Sequence, residues 1–131
     1  MYQFLNLHPK GLIVNDCYKR AITLATGKDY MEVQRSLNRY KKITGAKKAN
    51  EWKTHLEPYI LNVLHGQRIS YKAIAGQKRM NGERFCESHP KGIYLLNMAK
   101  HLTACVDGVI YDTWDCTEKC VYTAYKINPE F

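Results

Sequence analysis

Residues 101–114 read HLTACVDGVIYDTW, and this stretch predicts a β-hairpin with its turn at Asp107-Gly108. Asp-Gly between alternating and β-branched apolar residues is a strong hairpin signal, because both turn residues accept the positive φ of a type I′ turn. Counting outward from the turn pairs residue 103 with Asp112. His101 then lies two residues from Asp112, roughly 7 Å along the strand. The hairpin therefore carries a His and an Asp on neighbouring strands.

A candidate nucleophile, Cys17, precedes the hairpin at the start of a predicted helix. Asp16 is a favourable N-cap, apolar residues from Ala21 to Ala25 share one helix face, and Gly27 is a natural C′ residue. The first helical position suits a nucleophile because the helix dipole and the free N–H groups lower a thiol pKa and can hold an oxyanion. A Cys at a helix start is also often a small buried hydrophobe, so local sequence leaves both interpretations open.

The rest of the chain predicts helices first and strands later. Residues 1–10 are predicted to form an extended arm. Asp29 and Asn50 are predicted to cap two further helices, with a loop over 43–48 between them and Pro58 kinking or shortening the later helix. Strands are predicted over 69–75, 92–98, 101–106, 109–113 and 121–127, with a short helix or turn over 82–88. This order predicts an α+β fold in which N-terminal helices pack on an antiparallel β-sheet.

Length and composition predict one domain, 1–131, with no membrane segment. A chain of 131 residues with 45% apolar and 24% charged residues can bury one core, and it has no linker tract. The longest apolar runs are a few residues, and the N-terminus lacks a signal-peptide pattern, so we expect a soluble intracellular protein without a membrane partner. An odd number of cysteines, five, fits a reducing compartment.

The net charge of +8 permits an acidic partner such as nucleic acid. Basic residues crowd between Arg35 and Lys48, but no recognised nucleic-acid motif accompanies them, and solubility explains the charge equally well. Cys116 and Cys120 could join His89 or His101 in a zinc site, yet Cys-x3-Cys without a second pair is a weak signal. We therefore expect neither a metal nor another cofactor.

The order Cys17, His101, Asp112 resembles the papain-like cysteine peptidase superfamily. The run Asp112-Thr113-Trp114 resembles the Asn-Ser-Trp of papain-type enzymes, in which the Asn orients the His and the Trp shields that contact from water. Asp in this place is similar to the bacteriocin-processing peptidases of peptide exporters. The resemblance implies a papain-like fold and a Cys-His-Asp triad, with Trp114 as the shield.

Several further motifs resemble small phage-encoded members of this superfamily. These motifs are Asn15-Asp16-Cys17, Ala25-Thr26-Gly27-Lys28-Asp29-Tyr30, His89-Pro90-Lys91-Gly92-Ile93-Tyr94 and the run from His101 to Gly108, so the likeness covers roughly residues 11–127. Papain-type enzymes also have a Gln several residues before the Cys, which donates to the oxyanion. Residues 10–13 contain no Gln, and Asn15 is the nearest amide. The resemblance implies a phage protein in the host cytoplasm or in the virion.

The implied activity is hydrolysis of a peptide, isopeptide or amide bond in a peptide or protein substrate. His101 would take the Cys17 proton, Asp112 would hold the imidazole tautomer, and an acyl-enzyme thioester would form. Asp115 and Asp107 compete with Asp112 for the orienting role. His89 is the alternative base. The sequence leaves oligomeric state open.

Two other classes of function fit the same sequence. One is a catalytically idle papain-like fold that acts as a basic binding protein for nucleic acid or a host protein. The other is an amidase for cell-wall peptides, which would need export or delivery by a virion.

Overall fold

The computed structural model describes residues 1–128 and confirms an α+β fold. In chain order the elements are β1 (Tyr2–Phe4), α1 (Cys17–Thr26), α2 (Tyr30–Thr44), a π-helical turn (Trp52–Leu56) that continues into α3 (Glu57–Asn62), β2 (Gln67–Ser70), α4 (Gly82–Ser88), β3 (Ile93–Met98), β4 (His101–Val106), β5 (Val109–Asp112) and β6 (Thr123–Ile127). Most of the helical residues precede most of the strands, as the sequence predicts.

The β4–β5 hairpin has the predicted turn and register. Asp107 and Gly108 have φ of 48° and 78°, as a type I′ turn requires. Val106 pairs with Val109, and the register continues to Ala104 opposite residue 111. Local turn chemistry therefore sets which residues of the two strands face each other.

The sheet has the strand order β1-β5-β4-β3-β6-β2. Neighbouring strands are antiparallel except β1, which runs parallel to β5 with Tyr2 opposite Ile110. The sheet is therefore mixed, and the prediction of an antiparallel sheet missed this edge. The first residues of the predicted extended arm form the parallel strand β1, which pairs with the otherwise open edge of β5.

Helix ends follow the local signals at most positions. Gly27 caps α1 with φ of 69°, and the Asp29 side chain accepts hydrogen bonds from the first N–H groups of α2. The predicted N-cap of the third helix, Asn50, is wrong, because Glu51 occupies that position before the π-helical turn. The helix α2 also extends to Thr44, into the predicted loop.

The strand predicted over 69–75 is wrong in most of its length. Its observed counterpart is β2, which ends at Ser70 because its partner β6 begins at Thr123, the residue opposite Ser70. Residues 71–80 contain no regular element, although Tyr71 still donates its N–H to the Tyr122 carbonyl. Without a partner strand, alternation alone does not make a strand.

Two apolar clusters cover the two faces of the sheet. On one face, α1, α2 and α3 pack with strand residues such as Leu95 and Leu102. On the other face, α4 packs with the adjacent strand residues, which point the opposite way, such as Leu96 and Cys105. The helix α1 lies against β4 within the first cluster. This packing brings the start of α1 to the start of β4. Within residues 1–128, no helix has the length and apolar character needed to cross a membrane.

Candidate active site

His101 and Asp112 form a buried, hydrogen-bonded pair at the end of the hairpin. His101 Nε2 donates to Asp112 Oδ2 at 2.7 Å, and the side chains are 7% and 2% exposed. Side chains two residues apart on a strand share a face, so His101 and Thr103 both meet the Asp opposite Thr103. Thr103 Oγ1 donates to the same Asp112 oxygen at 2.7 Å. The His101 side chain therefore reaches Asp112 although the two residues are offset by two positions along the paired strands.

Cys17 lies at the first residue of α1, beside His101. Burial raises the pKa of the Cys17 thiol, but hydrogen bonds from the His101 side chain and the Leu102 backbone, with the charges of His101 and Arg20, bring the pKa below its ordinary value. Because Nε2 of His101 binds Asp112, Nδ1 is the ring nitrogen available to Cys17. Burial lowers the pKa of His101, whereas its bonds to Asp112, Cys116 and Cys17 raise it to about 11.

These opposite shifts favour a thiolate and an imidazolium side by side. Asp112 supports that state, because burial raises the pKa of its carboxyl less than the bonds from His101, Thr103 and Arg20 lower it. A thiolate next to an imidazolium is a nucleophile paired with a proton donor, which is the requirement for acyl transfer.

Arg20 links the helix of Cys17 to the strand of Asp112, and sequence reasoning missed it. Its Nη1 donates to Asp112 Oδ1 at 2.9 Å, and its Nε donates to Asp16 Oδ1 at 2.8 Å. Tyr30 OH donates to the other Asp16 oxygen at 2.8 Å. The available signal was the spacing of Asp16 and Arg20, four residues apart on one helix face.

Asp16 stands at the N-cap of α1 but does not cap it. No first-turn N–H of α1 donates to its side chain, whose two carboxylate oxygens accept hydrogen bonds from Arg20 and Tyr30 instead. The predicted position is therefore right and the predicted side-chain role is wrong. The first N–H groups of α1, including that of Cys17, have no partner within the helix, and the positive end of its dipole lies at the thiol.

Asn15 and Trp114 both lie next to the pair. Asn15 is exposed and lines the same cavity as Cys17 and His101. The Trp114 ring centroid is 4.9 Å from that of His101, and 43% of Trp114 is exposed. Trp114 therefore stands between His101 and solvent on one side.

The alternative residues have other partners. Asp115 is exposed and accepts from Thr117 N–H and Oγ1 within its own turn, at 3.0 and 2.6 Å. Asp107 accepts from a backbone N–H at the far end of the hairpin. His89 stacks on Phe85 with ring centroids 3.9 Å apart, at the end of α4. Asp112 is the carboxylate that binds His101.

His101, Asp112 and Cys116 place potential metal-ligand atoms within 4.8 Å of one another, while Cys120 does not join them. Zinc ligands at about 2.1 Å in a tetrahedron lie roughly 3.4 Å apart, which exceeds the 2.7 Å between His101 and Asp112. A cation here would also face the Arg20 guanidinium, 2.9 Å from Asp112. The geometry fits a hydrogen-bonded pair better than a metal centre.

Cys17 and His101 open into a cavity of about 630 Å³ at the junction of α1, the π-helical turn and the β3–β4 turn. Its walls combine apolar and aromatic side chains, such as Trp52, with the amides of Asn50 and Asn97. This volume suits a short peptide segment or a small ligand. Comparison of the chain with protein-family models, with curated proteins and with solved structures finds no match in any of the three.

Proposed function

We propose that this protein is a papain-like cysteine hydrolase with Cys17 as nucleophile, His101 as base and acid, and Asp112 as the residue that orients the imidazole. The observation that carries the proposal is one connected arrangement. A helix-terminal thiol with a lowered pKa meets an imidazole whose second nitrogen is bound to a buried carboxylate. Each part occurs in ordinary cores, but together they match the requirements of a nucleophile, a base and an orienting group.

The reaction runs through a thioester. The Cys17 thiolate attacks a carbonyl carbon, and the oxyanion is held by the Cys17 N–H, with Asn15 as a second donor; each such donor is worth about 3 kcal/mol. The C–N bond breaks as His101 gives its proton to the leaving amine. Neutral His101 then takes a proton from water, and the resulting hydroxide attacks the thioester. Cys17 leaves as thiolate, and the carboxylic acid that is released gives its proton to solvent.

Alkylation of the native protein with iodoacetamide, with each Cys mapped by mass spectrometry, tests the proposal. At pH 6 we expect Cys17 to react first, because a thiol of ordinary pKa, about 8.5, is less than ~1% thiolate there. The substitution His101→Ala should slow Cys17 at least about tenfold at pH 6, since the thiolate loses its paired imidazolium.

Cys120 is the matched control, because it is partly exposed like Cys17. Cys86 also has a lowered pKa, about 7, owing chiefly to its hydrogen bond with Cys105, but it is buried and should stay protected. Equal labelling of Cys17 and Cys120 at pH 6 would contradict the triad. So would a Cys17 rate that His101→Ala leaves unchanged.

The likeness to phage-encoded peptidases supports a place in a host cytoplasm or a virion, with a peptide or protein substrate. If the same site acts as an amidase, its substrates are cell-wall peptides. The competing function is a basic binding protein with an idle site, which the exposed Arg35 and Arg39 of α2 favour. Biological activity that survives Cys17→Ala but is lost on charge reversal at Arg35 and Arg39 would select the binding function.

A further inference from the structure

The turn between β3 and β4 carries Lys100 on the rim of the Cys17 cavity, directly before His101. Lys100 has φ of 52°, in the left-handed region. A non-glycine residue there is uncommon, and Asn, Asp and Gly adopt this conformation more easily than Lys. A two-residue hairpin turn accommodates a positive φ, as at Asp107, so the position of Lys100 at the cavity is what points to a role for its side chain.

Neighbouring contacts hold the turn in place. Lys119 Nζ donates to the Ala99 carbonyl at 2.9 Å, and Met98 pairs with His101 across the turn. Lys100 itself is exposed, and its ammonium makes no ion pair with any residue between 1 and 128. The turn therefore presents an unneutralised cation to the cavity.

The cavity around this cation suits an anion. Among residues 1–128, no Asp or Glu lines it, whereas Asn15, Asn50 and Asn97 do, the last with one amide N–H already donated to Thr123 Oγ1 at 3.2 Å. Amide N–H groups and an ammonium are the donors that bind a carboxylate, and they do so with charge-assisted hydrogen bonds. The His101 imidazolium is already paired with Asp112 at 2.7 Å, so anion binding in this cavity depends on the ammonium of Lys100.

We infer that Lys100 forms a carboxylate-binding subsite in the Cys17 cavity, so that the substrate carries a carboxylate close to the carbonyl that Cys17 attacks. This inference rests on the proposed function. The carboxylate is that of an acidic side chain or of a chain terminus. Lys100 selects the substrate and does not take part in bond breaking.

Two small alkylating reagents, one anionic and one neutral, test the subsite although the substrate is not known. Iodoacetate carries a carboxylate beside its reacting carbon and iodoacetamide carries a neutral amide, so the ratio of their rates at Cys17 measures preference for an anion. We expect Lys100→Gln to lower this ratio by about threefold or more at low ionic strength, because one charge within a Debye length is lost. Salt should reduce the effect.

Lys91→Gln is the matched control, because Lys91 is exposed near the opposite end of β3. It removes the same charge from the protein and should leave the ratio unchanged. Lys100→Gly separates backbone conformation from charge, since glycine adopts φ of 52° without steric strain. It should lower the ratio like Lys100→Gln while keeping or raising the melting temperature, so that misfolding cannot explain the loss.

Peptide chloromethyl ketones that end in Glu or Gln distinguish the two carboxylate sources. A Glu preference that Lys100→Gln removes assigns the subsite to an acidic side chain, and an effect confined to iodoacetate assigns it to a chain terminus. A ratio unchanged by both Lys100 variants, at a Cys17 that still reacts first, overturns the subsite and leaves the hydrolase proposal standing. If Cys17 shows no selective reactivity at all, the hydrolase proposal fails.

Discussion

Replacement of Arg20 by Met should be among the most damaging single changes in this protein. The Arg20 guanidinium is hydrogen-bonded to Asp16 and to Asp112, and those two carboxylates are 3% and 2% exposed. Met keeps much of the side-chain length and removes only the charge and the donors. The substitution therefore leaves two buried carboxylates without their shared cation.

Removal of one partner from a buried ion pair costs about 3–5 kcal/mol, because the remaining charge stays desolvated. We expect a loss of this size in the free energy of unfolding at pH 7, measured by urea denaturation followed by Trp fluorescence with an unchanged m value. Arg39→Met, on the exposed face of α2, is the control and should change stability by less than about 0.5 kcal/mol.

The loss should shrink in acid, and this gives a second check. The pKa of Asp112 is depressed in the folded protein, so its contribution to stability is present above its unfolded pKa of about 3.9 and is lost as pH falls through the folded value. Without Arg20 the folded pKa of Asp112 rises, so the loss should be smaller at pH 3 than at pH 7, and the two proteins should converge only below the depressed folded pKa of the wild type. A loss below 1 kcal/mol at pH 7, or one of equal size at pH 3, would refute this account of Arg20.

Two further substitutions test the site and its support. Asp112→Asn removes the carboxylate that raises the pKa of His101, so the pH midpoint of Cys17 alkylation should move up towards the ordinary thiol value of about 8.5, whereas Asp115→Asn should leave it in place. Gly82→Ala would place a Cβ 2.9 Å from Ile110 Cδ1 and 3.0 Å from Thr117 Cα, so we expect it to lower the free energy of unfolding by about 1–3 kcal/mol in urea denaturation.

The hairpin could be predicted from the sequence because its determinants are local. Asp107-Gly108 fixes the turn, the turn fixes the register, and the register places His101 and Asp112 on one face of two adjacent strands. The start of α1 at Cys17 is equally local, since it depends on the residues on either side. These two local features supply all three residues of the proposed triad.

The meeting of α1 with the hairpin could not be predicted in the same way. It depends on the packing of residues such as Ile22 against Leu102 and Ala104 on β4, and periodicity identifies apolar faces but not their partners. Arg20 was missed for a related reason. A basic residue in an amphipathic helix is normally solvated, and only the tertiary arrangement places a carboxylate of another element beside it.

Asp16 could either cap α1 or bind Arg20 and Tyr30, and this choice affects both the stability of the fold and the candidate active site. A capping Asp stabilises a helix by about 1 kcal/mol, and Asp16 forgoes that bond to hold Arg20 and Tyr30. The exchange has two effects that both serve the proposed chemistry. The guanidinium is fixed where it meets Asp112, and the Asp16 side chain accepts no hydrogen bond from the first N–H groups of α1. The ion-pair network outweighs the cap in stability, so the arrangement is favourable for folding, and it also leaves this end of α1 without a side-chain cap, as an oxyanion-binding role requires.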